Sequence, residues 1–147
     1  MKQVFLAGAM VAAVTFAAFP VHAQRSQQSA AKAGTSLGSI TLNHKVMADG
    51  QPLAAGTYQV RLTDDRPAPA VGESPDSERY VEFLRGGKVV GRALATVVPQ
   101  SEIGQITKGP KPANNGSRVE MLKGNDYVRV WINRAGQNYL IHMPPAA

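Results

Sequence analysis

Two glycines, Gly86-Gly87, stand between Arg79–Arg85 and Lys88–Val98, two runs with the composition of β-strands. A two-residue hairpin turn requires positive φ at both central positions, which glycine adopts without steric penalty. This predicts an antiparallel hairpin, and the same grammar recurs along the chain. Ile40, Leu42, His44 and Val46 alternate with Thr41, Asn43 and Lys45, the period-2 pattern of a half-buried strand. Asp49-Gly50 supplies a turn. From Thr57 to Leu62, one face carries Tyr58, Val60 and Leu62 and the other carries Thr57, Gln59 and Arg61. Arg118–Leu122 reads as a strand, Lys123-Gly124-Asn125-Asp126 as a turn, and Tyr127–Asn133 with Tyr139–Met143 as a final hairpin.

Two long segments interrupt the pattern. Asp64–Ser77 holds three prolines among acidic residues, and Pro99–Ser117 carries Lys108, Lys111, two further interior prolines and Asn114-Asn115-Gly116. Proline removes ladder donors, so both read as loops, one acidic and one basic. Lying at one end of the fold, they would either pair or shape a cleft. The mature chain has no amphipathic helical stretch. About seven short strands with Gly/Pro turns indicate an all-β fold, a single antiparallel β-sandwich or partly closed barrel over residues 39–144.

Ahead of that domain, Lys2, the uncharged apolar run Val4–Phe19 and Val21-His22-Ala23 match a cleavable export signal over residues 1–23. Residues 24–38, rich in Ser, Gln, Ala and Gly, read as a flexible leader. The expected location is periplasmic or secreted, in a bacterium, with no stable membrane span after cleavage. The chain contains no cysteine, which excludes disulfides, thiolate metal sites and a lipidated N-terminus. The formal charge of +6 favours anionic neighbours such as envelope lipids or acidic glycans. The cations are scattered rather than gathered on one stripe, which argues against nucleic acid.

The stretch Asp49-Gly50-Gln51-Pro52-Leu53-Ala54-Ala55-Gly56-Thr57-Tyr58-Gln59-Val60 resembles the "dG.pLpAGtY.v" segment of small exported bacterial β-sandwich proteins. That group includes uncharacterised families and transthyretin-like or carboxypeptidase-regulatory-like modules. The resemblance spans about a dozen residues, with Ala54 where proline is usual. It implies a β-sandwich fold and no catalytic residues.

Reactive groups are few. No G-x-S-x-G elbow occurs, and the histidines of the mature chain are His44 and His142. Joined to a loop carboxylate, either would suit a small envelope hydrolase or a metal-dependent enzyme, the contrasting reading. No metal and no cofactor is implied. A third reading is an assembly subunit that pairs through an edge strand.

The final hairpin is the better candidate site. With Ala135-Gly136 as its turn, Asn133 opposes Asn138, Ile132 opposes Tyr139, Trp131 opposes Leu140 and Arg129 opposes His142. Val128, Val130, Ile132, Tyr139 and Ile141 then share the core face, while Tyr127, Arg129, Trp131, Leu140 and His142 share the other. An aromatic and cationic face of Trp131, Tyr127, Arg129 and His142 suits glycans, anionic envelope components or a protein partner. The sequence leaves open whether Trp131 lies exposed or beneath a second sheet or a long loop. The expectation is an exported, non-enzymatic protein with a binding or structural role.

Overall fold

The computed structural model describes residues 34–147. The expected export signal and most of the leader lie outside the described residues. In chain order the elements are β1 (Ser36–Leu42), β2 (Val46–Ala48), β3 (Gln51–Leu53), β4 (Gly56–Leu62), β5 (Glu78–Arg85), β6 (Lys88–Pro99), α1 (Ile103–Ile106), β7 (Ser117–Met121), β8 (Val128–Arg134) and β9 (Gln137–Met143). Strands pair in the order β1-β4-β5-β6-β9-β8-β7, all antiparallel, and β2-β3 form a separate ribbon.

The two edge strands curl round until they lie side by side, where Ser117 Oγ donates to the Ser39 carbonyl at 3.4 Å. The result is a nearly closed, barrel-like sheet. Its curvature has local causes: register shifts interrupt β1 near Gly38 and the β5–β6 ladder near Phe83, and such bulges sharpen strand twist. Alternation puts Val60, Val81, Phe83, Ala95, Val130 and Ile141 inside, all essentially inaccessible to solvent. Each large apolar side chain buried this way contributes about 1.5–3 kcal/mol.

The hairpin turns form as their residues dictate. Gly86 and Gly87 take φ of 57° and 77° and join β5 to β6. Ala135 and Gly136, at 50° and 75°, close the β8–β9 hairpin in the expected register. Asp49 and Gly50 turn β2 into β3.

The Asp49–Val60 stretch has a mechanical account. After the turn, Leu53 enters the core and Gly56 takes φ of 146°. Tyr58 is buried, and its hydroxyl donates back to the Ala54 carbonyl at 2.6 Å, locking the corner from which β4 starts. The Arg85 guanidinium stacks on the Tyr58 ring at 4.5 Å and reaches the Ala55 carbonyl. Glycine suits the φ of 146° there, and a Cβ on Gly56 would also push the Arg85 guanidinium off its place over Tyr58.

Three boundaries differ from expectation. Residues 36–38 belong to β1 and not to the leader, since backbone bonds to Leu62 hold the chain from Gly34 onward. The single strand expected over Ile40–Val46 breaks at Asn43-His44-Lys45, where the chain leaves the barrel wall and β2 begins. Val46, the first residue of the β2–β3 ribbon, is still buried in the same core as Ile40 and Leu42, whereas His44 between them is exposed. That ribbon is tied to the C-terminus through Met47 N–H to Pro144 O and Ala146 N–H to Lys45 O. Finally, the Pro99–Ser117 loop contains one helical turn, α1, held by burial of Ile103 and without a side-chain cap. Among the described residues, no helix is long and apolar enough to cross a membrane.

Candidate functional site

The outer surface of β8 and β9 is where the sequence places an aromatic and cationic face, and the structure divides it in two. Toward the Ala135-Gly136 turn, Trp131 is fully buried. It packs with Val98, Ile103 and Leu140 in a small apolar cluster separate from the barrel interior. Its indole Nε1 donates to Asn138 Oδ1 at 2.8 Å, and Asn138 Nδ2 donates to Gln100 Oε1 at 2.8 Å. Trp131 is therefore not an exposed stacking surface. The long loop after β6 covers it, satisfying the indole N–H as burial demands.

Toward the other end of the same strands, the face stays open. Tyr127 is 47% exposed, and its ring meets the His142 ring edge-on at a centroid separation of 6.5 Å. Arg129 lies between the halves, with its guanidinium 5.3 Å from the Trp131 ring and hydrogen-bonded to Glu120. Arg118 reaches the other carboxylate oxygen of Glu120 at 3.1 Å. Burial pulls the Glu120 carboxyl upward, but the hydrogen bonds and charges of Arg129 and Arg118 outweigh it and hold the group below its ordinary value. His142 is pushed down, chiefly by desolvation and further by Arg129, which favours the neutral ring.

His142 also lines a groove of about 440 Å³ between the ribbon turn and the outer wall. Met47, Asp49, Tyr80, Leu94 and Pro144 form its other sides. Above it, the Arg92 guanidinium stacks on the Tyr80 ring at 3.9 Å. Arg92 also pairs with Asp49 at 3.1 Å and Asp65 at 3.3 Å. Two aromatic platforms, one neutral imidazole and cations already engaged by carboxylates thus share one wall. Such a surface suits stacking and hydrogen bonding to a polar ligand better than capture of a free anion.

The two histidines are not brought into one site. His44 lies exposed in the bend between β1 and β2, and His142 sits near the end of β9 on the outer wall. Among the described residues, no group of three or more His, Asp or Glu is placed to hold a metal. The acidic and basic loops both leave the same end of the sheet, after β4 and after β6. The ion pairs of the acidic loop run to Arg66, Arg79 and Arg92 rather than to Lys108 or Lys111.

Arg79 and Arg92 were not singled out from sequence. Arg79 is 3% exposed and points to the barrel interior, donating to the Thr63 carbonyl at 2.8 Å. A signal existed: Arg79 shares the parity of Val81 and Phe83. The double pairing of Arg92 had none, because Asp49 and Asp65 reach it from separate connections. Comparison with family models, with curated proteins and with solved structures returns no match for the chain.

Proposed function

We propose that this chain is an exported, non-enzymatic binding protein of the bacterial periplasm or cell envelope, and that it holds its ligand against the open half of the outer wall. The observation that carries the reading is the exposed Tyr127 ring set edge-on against His142, which itself lines the groove. A large exposed aromatic on a rigid antiparallel wall costs little entropy to bind through, having only two side-chain torsions to fix. The pairing of Arg92 and Arg129 with carboxylates favours glycan chains over phosphate-rich surfaces as the ligand class. The export signal in the sequence and the likeness of residues 49–60 to exported β-sandwich proteins support the location.

Retention on an oligosaccharide array checks this. Wild type is expected to bind a subset of glycans, and Tyr127→Ala and His142→Ala to lose most of the signal while keeping the wild-type circular dichroism. Equal retention by all three proteins would reject the face.

A further inference from the structure

Trp131 is an aromatic on the same strand and the same side as Arg129, two residues from the open half, yet it is hidden by a loop. The cover is weakly attached. Among the described residues, the backbone hydrogen bonds made between Glu102 and Ala113 reach no strand residue beyond Pro99 at the end of β6; the other bonds to the barrel are made at the ends, by Gln100 N–H to Gly136 O, by Asn133 N–H to Gly116 O and by Asn133 Nδ2 to Asn114 Oδ1 at 3.4 Å. The middle is held by one buried apolar side chain, Ile103, while at the start of the segment the exposed Gln100 accepts from Asn138 Nδ2. The closed arrangement also carries a fault: Thr107 is 5% exposed, and its hydroxyl has no hydrogen-bond partner. A buried polar group left unsatisfied disfavours the state that buries it.

We infer that residues 100–116 form a strap that lifts from the barrel, uncovering Trp131 and Leu140 as a cryptic continuation of the glycan-binding wall. The inference rests on the reading of that wall as the ligand surface. Lifting returns the Thr107 hydroxyl to water and releases Asn138 to hydrogen-bond a ligand. It joins Trp131, through Arg129, to Tyr127 just before β8, side chains that alternation along an extended chain places on one side. The closed strap keeps the indole dry when no ligand is present.

Hydrogen exchange of the Trp131 indole N–H, followed by NMR on the full chain, reads the lifting without any ligand. It therefore separates the strap from the glycan reading. The indole proton is expected to exchange well ahead of the Val130 and Ile141 backbone amides, which require global opening. Ile103→Ala removes the apolar anchor and should lower indole protection about thirtyfold while leaving those amides behind it. Thr107→Val replaces the unpaired hydroxyl with a methyl and should raise protection about tenfold. Indole exchange at the rate of the core amides in wild type and in both variants would overturn the strap.

Discussion

The two halves of the outer face of β8 and β9 share strands, parity and residue character, yet one is sealed and the other open. Trp131 and Leu140 are covered by Ile103 and by the amide relay through Asn138 and Gln100. Tyr127 is exposed, and His142 lines an open groove. Alternation assigns a side chain to a wall; a connection elsewhere in the chain decides whether that wall meets water. The difference is energetic as well as geometric. The sealed half holds structure together, and the open half is available to a partner.

The largest effect expected from breaking this contrast is at Trp131. Trp131→Ala should destabilise the protein by about 3–5 kcal/mol in urea unfolding, because it empties the centre of the sealed cluster. A loss below about 1 kcal/mol would mean the cluster is not a packing unit. Asn138→Ala should cost about 1–3 kcal/mol, since it leaves the indole N–H and the Gln100 amide without their partner. The Trp131 emission should shift to the red in that variant.

Acidification should act on the open half. His142 and Glu120 both have depressed values in the folded chain, so at low pH the unfolded chain binds more protons than the native one. Stability should be full above pH about 6.5 and decline as His142 titrates below it. A second decline is expected as pH falls through 4.5 and below, where Glu120 titrates. Thermal melts across pH 3–8 would show both steps (roughly, on the ordinary side-chain values). His142→Gln should remove the upper step and Glu120→Gln the lower, and persistence of the upper step in His142→Gln would reject its assignment. The smallest effect is expected at Tyr127, where Tyr127→Ala should change stability by no more than about 0.5 kcal/mol, even though the proposed glycan binding predicts loss of most retention.

Much of the architecture was legible in the chain. Positive-φ requirements at Gly86-Gly87 and Ala135-Gly136 fixed two hairpins, and the second fixed the pairing of Arg129 with His142 and of Trp131 with Leu140. Parity then separated core from outer wall on β4, β8 and β9. The Ile40–Val46 alternation misled because Leu42 pairs with β4 and Val46 with β3, although both are buried in one core, and a period cannot register a change of pairing partner. Parity placed Tyr127, Arg129, Trp131 and His142 on one wall, and it could not tell that Trp131 is covered. The groove was not legible, since Asp49, Tyr80 and His142 meet only after the ribbon folds against the sheet.

The sequence by itself determined an antiparallel all-β chain, the register of its final hairpin and which side chains share a wall. These follow from local φ requirements and from the two-residue period of a strand. Tertiary structure alone decided that the sheet curls until β1 meets β7, that Trp131 lies beneath a loop and that Arg92 is held by two distant aspartates. Those outcomes depend on contacts between segments far apart in the chain, whose closure no local pattern encodes.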